Sequence, residues 1–151
     1  MKHVAILVAC TVAIVWPASA EDRSAGGTSP PYVPKLGDIM GATQLRHFKL
    51  WYAGREKNWS LANYELEQIK ESFQDAMTLY PGLPVADMTT MEKPAASIGA
   101  AIKAKDGRKF ATAFGALTTA CNACHQSQGL GFIAIKVPTA SPFSNQVFVP
   151  K

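Results

Sequence analysis

The sequence is poor in cysteine, in charged residues and in long apolar segments. It has three cysteines in 151 residues, and 17% of its residues are charged. After the first 20 residues, no stretch approaches the ~20 apolar residues of a membrane-spanning helix. The net charge of +4 is too small for the dense basic face of a nucleic-acid-binding protein. We therefore expect neither membrane insertion of the chain that follows residue 20 nor a nucleic-acid partner.

The first 20 residues have the pattern of an export signal. Lys2 supplies a positive charge, residues 4–15 are almost wholly apolar, and residues 18–20 (Ala-Ser-Ala) form a small-x-small cleavage site. We expect cleavage after Ala20 and a periplasmic location. A competing interpretation treats Cys10 as the lipid-modified cysteine of a lipoprotein, although the apolar segment before it is short for such a signal.

Cleavage after residue 20 would leave 14 basic and 11 acidic residues, and only two cysteines, Cys121 and Cys124. In an oxidising compartment, a disulfide is the default for such a pair. However, cysteines three positions apart on a helix make a poor structural bridge, and closing so short a loop removes little entropy from the unfolded chain. The two cysteines therefore need another explanation.

Four segments have the apolar period of amphipathic helices, with side chains recurring at alternating steps of four and three. The predicted helices span residues 36–56, 60–80, 91–106 and 108–128. A Gly- and Pro-rich leader precedes them at residues 21–35, and residues 81–90 form a loop in which Thr89 and Glu92 have the spacing of a capping box. The tail, residues 132–151, contains three prolines and should be extended.

No sustained strand pattern, internal repeat or second domain is present in the sequence. Four amphipathic helices with short links predict an all-α fold, an antiparallel four-helix bundle. Residues 36–151 should form one domain that consists of this bundle and the extended C-terminal tail.

The chemistry is concentrated in residues 121–125, Cys-Asn-Ala-Cys-His, which match C-x-x-C-H, the attachment motif of c-type haem. Thiols at positions i and i+3 project from one side of a helix, so both can reach the vinyl groups of one haem. His125 can then bind the iron as the proximal ligand, and its other ring nitrogen should donate to a carbonyl or water. We predict one covalent haem c, held by Cys121, Cys124 and His125.

Two other chemistries use cysteines at this spacing. A thiol–disulfide redox pair usually belongs to a thioredoxin-like fold with strands, which this sequence lacks. A zinc site would need His47 as its fourth ligand, beside the two thiols and His125. Both interpretations are weaker than haem.

A C-x-x-C-H motif near the end of the fourth helix resembles that of class II cytochromes c, the cytochrome c′ and cytochrome c556 type. The resemblance covers residues 36–128 and rests on the motif and the helix order. It implies that the first helix supplies the distal side of the iron. The long tail, residues 129–151, and the run at residues 44–51 (QLRHFKLW) depart from the family pattern.

Two residues of the first helix compete for the distal side. Met40 and His47 are seven positions apart, on one face but about 10 Å apart along the helix axis. The family places its distal residue about three turns into this helix, which favours His47, and a buried histidine needs a polar partner or a metal. An antiparallel fourth helix instead favours Met40, whose other role would be core filling. We predict His47 as the distal ligand and Met40 as the alternative.

If the protein supplies the sixth ligand of the iron, we expect a mono-haem electron carrier with redox partner proteins, and not an enzyme. The alternative is a five-coordinate haem that binds or senses a gas such as nitric oxide. A peroxidase would need Arg46 and His47 as distal acid–base groups, and a haem-free thiol protein would show two titratable thiols.

A second apolar stripe of the first helix would allow a homodimer; its members are Leu45, Phe48 and Tyr52.

Overall fold

The computed structural model describes residues 30–150, which contain five helices and no strand. The helices are α1 (Leu36–Arg55), α2 (Trp59–Leu79), α3 (Val85–Thr89), α4 (Glu92–Lys103) and α5 (Gly107–Ser127). This confirms the all-α prediction, and the architecture is compatible with a helical bundle. The predicted signal sequence, Cys10 and residues 21–29 of the leader lie outside the described residues.

Side-chain caps set the starts of two long helices. The Asn58 side chain accepts a hydrogen bond from the backbone N–H of Leu61 at the start of α2. Asp106 accepts from the N–H groups of Arg108 and Lys109 at the start of α5, both at 3.0 Å. These bonds, chiefly the one from Lys109, lower the pKa of the Asp106 carboxyl. Both caps come directly after the turns that end α1 and α4.

The link between α2 and α4 differs from the prediction. Residues 81–90 are not wholly a loop, because α3 occupies part of them; at five residues it is too short for an apolar period to reveal. The predicted capping box is wrong, since the Thr89 hydroxyl donates to the Ala86 carbonyl and α4 begins without a side-chain cap. Met88 and Met91, both 3% exposed, hold this link against the core.

The core lies between four long helices, with α1 packed on α2 and on α5, and α4 packed on α5 and α2. Several close contacts join α1 to α5, and two of them lie about two helical turns apart. The side chains of His47 and Thr118 are 2.9 Å apart, and the Phe110 ring lies so near Gly54 that a Cβ there would overlap it. The buried Glu65 of α2 also receives a hydrogen bond from α1, given by the Arg46 guanidinium at 3.1 Å.

The tail after α5 contains no helix or strand up to residue 150. Near its end, the Phe148 ring packs on Tyr52 of α1, with 5.7 Å between the ring centroids. Of the apolar stripe expected to allow a homodimer, Tyr52 is buried and Phe48 is half-buried, whereas Leu45 is 45% exposed. In the described part of the chain, no helix is long and apolar enough to cross a membrane.

Candidate functional site

A cavity of about 310 Å³ lies beside the first turns of α1 and the last turns of α5. Its volume falls in the range of about 300–1,000 Å³ that is typical of ligand sites. All five candidate site residues predicted from the sequence line it: Met40, His47, Cys121, Cys124 and His125. The cavity thus brings together the candidate haem-attachment residues and both candidate distal ligands.

The rest of the cavity lining is mostly apolar and includes residues of three helices and of the tail. Leu36 belongs to α1 and Phe73 to α2, while Met88 belongs to α3. Three residues of the tail complete the lining, namely Leu130, Ile133 and Ile135. Such a lining suits a mostly apolar group with few polar contacts.

His125 is half-buried, and its Nδ1 atom lies 2.7 Å from the carbonyl oxygen of Ile133. A carbonyl oxygen only accepts hydrogen bonds, so Nδ1 carries the proton and donates it. In the neutral ring, Nε2 then keeps its lone pair. A histidine that binds a metal typically has this arrangement, in which the other ring N–H donates to a backbone carbonyl. Between the two neutral tautomers of His125, the hydrogen bond to Ile133 therefore selects the one in which Nε2 can bind a metal.

The first residues of the tail fold back onto the C-x-x-C-H motif. The N–H of Leu130 donates to the His125 carbonyl at 2.7 Å. The side chain of Asn122 donates to the Ile135 carbonyl at 2.8 Å and accepts from the Ile135 N–H at 2.7 Å. The sequence predicted only that the tail is extended, and this role was not predicted. No helical period marks these residues, although the Asn within the motif is a residue type able to make such a pair.

Cys121 and Cys124 are free, half-buried thiols. Burial, with a smaller contribution from Cys124, raises the pKa of the Cys121 thiol to about 11. Burial and the nearby Asp87 carboxylate raise the pKa of Cys124. An attacking cysteine of a thiol–disulfide exchange pair instead has a lowered pKa. The surroundings of these thiols therefore differ from those of a redox-active C-x-x-C pair.

His47 is only 4% exposed and has a polar partner within the protein. The Thr118 hydroxyl uses its single hydrogen to donate to the Phe114 carbonyl at 2.9 Å. The 2.9 Å contact between His47 Nε2 and the Thr118 oxygen is therefore a hydrogen bond donated by His47. Burial lowers the pKa of His47 to about 4, so its ring is neutral at pH 7. The Thr118 hydroxyl thus satisfies the need of a buried histidine for a polar partner.

Arg46, the other distal group considered for a peroxidase, lies on a different side of α1. Its guanidinium pairs with the buried carboxylate of Glu65 and lies 5.6 Å from the centre of the Tyr64 ring. It is not among the residues that line the cavity. Arg46 therefore stabilises the contact between α1 and α2.

Comparisons of the chain with protein-family models, with curated proteins and with solved structures find no match. Within residues 30–150, no three His, Cys, Asp or Glu side chains are gathered as a metal-ion cluster. A haem iron takes at most one protein side chain on each face, and its other four ligands come from the macrocycle, so a haem site need not show such a cluster. The functional interpretation therefore depends on the motif and on the residues around the cavity.

Proposed function

We propose that this protein is a periplasmic mono-haem c-type cytochrome that transfers single electrons between partner proteins. Cys121 and Cys124 would attach the haem covalently, and His125 would bind its iron on the proximal side. The main support is the hydrogen bond from His125 Nδ1 to Ile133, which leaves Nε2 free beside both thiols in an apolar cavity. When bound, haem c supplies a one-electron Fe(III)/Fe(II) couple.

The chain's own residues fit an electron carrier in two ways. The apolar lining of the cavity, which includes Leu36, Phe73 and Ile135, would keep water from the iron. The motif itself is only half-buried, since Cys124 and His125 are both partly exposed, so one edge of the site stays within reach of a partner protein.

We also propose that α1 and α5 run antiparallel and that Met40 is the sixth iron ligand. His47 contacts Thr118, and Gly54, seven residues later on α1, meets Phe110, which is eight residues earlier on α5. From the first contact to the second, the residue number rises along α1 and falls along α5, as expected for two antiparallel helices.

The same register extends toward the cavity. Met40 lies seven residues before His47, and His125 lies seven residues after Thr118. Both steps are about two helical turns, or about 10 Å. In an antiparallel pair, Met40 and His125 would therefore lie at the same height along the helix axes. His47 is two turns away from that level, and its Nε2 atom is bonded to Thr118. Met40 is therefore the better candidate, and His47 becomes the alternative.

The surroundings of His47 also weigh against a peroxidase. That activity needs a distal acid–base pair beside an open iron. Here His47 is held neutral by burial, and Arg46 is paired with Glu65 away from the cavity. The protein is thus proposed to act without enzymatic turnover of a substrate.

The test is to produce the protein with a haem-attachment system and to record the visible spectrum of the reduced form before and after addition of carbon monoxide. We expect one haem per chain that survives denaturation, and a low-spin spectrum that carbon monoxide does not change. The matched control is the variant Cys121→Ala/Cys124→Ala, which should lose the covalent haem. A haem-free wild-type protein would overturn the proposal, and a high-spin spectrum that shifts with carbon monoxide would favour gas binding.

A further inference from the structure

Asn122 occupies the first variable position of the C-x-x-C-H motif, and its side chain is bonded to the tail. The carboxamide donates through Nδ2 to the Ile135 carbonyl at 2.8 Å, and its Oδ1 accepts from the Ile135 N–H at 2.7 Å. An amide that donates to and accepts from the same residue fixes both the position and the orientation of that backbone segment. Asn122 thus fixes the chain 13 residues beyond itself.

The fixed segment contains the partner of His125. Ile133, two residues before Ile135, accepts the hydrogen bond from His125 Nδ1. At its other end, the segment is tied to α5 by the bond from the Leu130 N–H to the His125 carbonyl, and the Ile133 N–H donates to the Leu130 carbonyl at 2.8 Å. The Ile133 carbonyl is therefore held between two attachments to α5, and Asn122 provides the one on the C-terminal side.

We propose that Asn122 is a positioning residue that tunes the reduction potential of the haem through Ile133 and His125. This inference rests on the proposed function. A hydrogen bond from Nδ1–H makes the histidine a stronger electron donor to a metal at Nε2. Stronger donation favours ferric over ferrous iron. Loss of the Asn122 pairing should loosen the Ile133 carbonyl, weaken that donation and raise the potential.

The experiment compares the haem-loaded wild-type protein with Asn122→Ala and Asn122→Leu. Alanine favours the helix, and leucine keeps most of the bulk while removing both polar atoms. The control is Thr119→Ala, because Thr119 is exposed on the same helix and its hydroxyl donates to the Gly115 carbonyl. Two quantities are measured: the hydrogen-exchange rate of the Ile135 amide and the midpoint potential.

Both Asn122 variants should accelerate exchange of the Ile135 amide. At a fixed potential, the ratio of reduced to oxidised protein should rise; a tenfold rise would appear as a shift of about 59 mV in the midpoint potential for one electron. Thr119→Ala should change neither quantity. Faster exchange with an unchanged potential would overturn the positioning role, and unchanged exchange would overturn the pairing itself.

Failure of this inference can be told apart from failure of the proposed function. Haem content of the wild-type protein reports on the proposed function alone. If no haem is attached, the proposed function and the tuning of a potential both fall. Amide exchange of Ile135 in that haem-free protein still decides whether Asn122 holds the tail segment. If haem is attached and the potential ignores Asn122, only the inference falls.

Discussion

The side chains of His47 and Thr118 are joined by a 2.9 Å hydrogen bond, although 71 residues separate them in the sequence. The bond is buried and connects the middle of α1 to α5. It supplies the polar partner that a buried histidine requires, and it fixes which residues of the two helices lie at the same level. The first predictions concern this pair.

The variant Thr118→Val should destabilise the protein by about 1–3 kcal/mol. Valine has nearly the shape of threonine but offers no acceptor, so the buried N–H of His47 loses its only hydrogen-bond partner among the described residues. Urea denaturation followed by circular dichroism measures the change. Thr119→Val is the matched control, because Thr119 is exposed on the same helix. Its effect should stay within about 0.5 kcal/mol; equal losses in both variants would contradict the role of the buried bond.

Stability should also depend on pH through His47. Burial lowers its folded-state pKa to about 4 from the ordinary value of 6.5, so between these values the unfolded chain binds more protons than the folded one. The contribution of His47 is therefore complete above pH 6.5 and is lost as the pH falls toward 4. It amounts to about 3 kcal/mol.

Denaturation midpoints between pH 4 and pH 7.5 measure this effect. The variant His47→Gln has no titrating group at this position and should show a flatter profile than the wild-type protein. Parallel profiles for the two proteins would mean that His47 does not titrate with a lowered pKa.

The sixth ligand can be assigned by comparing Met40→Ala with His47→Gln in the haem-loaded protein. We expect Met40→Ala to give a high-spin spectrum that shifts with carbon monoxide, because the iron loses its distal ligand. His47→Gln should remain low-spin, since in the wild-type protein the His47 ring is bonded to Thr118 and would not bind the iron. The reverse pattern would restore His47 as the ligand, and a high-spin wild-type protein would show that neither residue binds the iron.

The close approach of α1 and α5 predicts opposite effects for two glycine substitutions. A Cβ at Gly54 would overlap the Phe110 ring, so Gly54→Ala should cost about 1–3 kcal/mol through displaced packing. Gly115 lies inside α5 with nothing within 4 Å of an added Cβ. Gly115→Ala should stabilise the protein by about 0.5–1 kcal/mol. Thermal unfolding of both variants measures the difference; a tolerated Gly54→Ala would show that the two helices can separate at this point.

Much of the fold could be predicted from the sequence because each of the four long helices has an apolar period, although that of α4 is short and weak. The predicted bounds of the first, second and fourth helices differ from those of α1, α2 and α5 by a residue or so. The short helix α3 could not be found in this way, because five residues contain too little of a period. The end of α4 was placed three residues too late, since Lys105, with φ of 53°, already belongs to the turn before α5.

The candidate site was predictable only in part. The motif from Cys121 to His125 is local, so its spacing alone indicates the chemistry. The choice between Met40 and His47 depends on contacts between α1 and α5, which no single-helix pattern contains. The contribution of Ile133 and Ile135 could not be predicted either, because it arises where an irregular segment turns back on α5.

The carbonyl that orients His125 lies eight residues downstream of it. A chain shortened to end at Gln128 would keep every residue of C-x-x-C-H and all five helices. It would lose the Ile133 carbonyl that accepts from His125 Nδ1. It would also lose one side of the cavity, which is formed by Leu130, Ile133 and Ile135. The smallest unit that keeps the candidate haem site complete therefore extends beyond the helices, and an affinity tag fused directly after α5 would take the place of a part of that site.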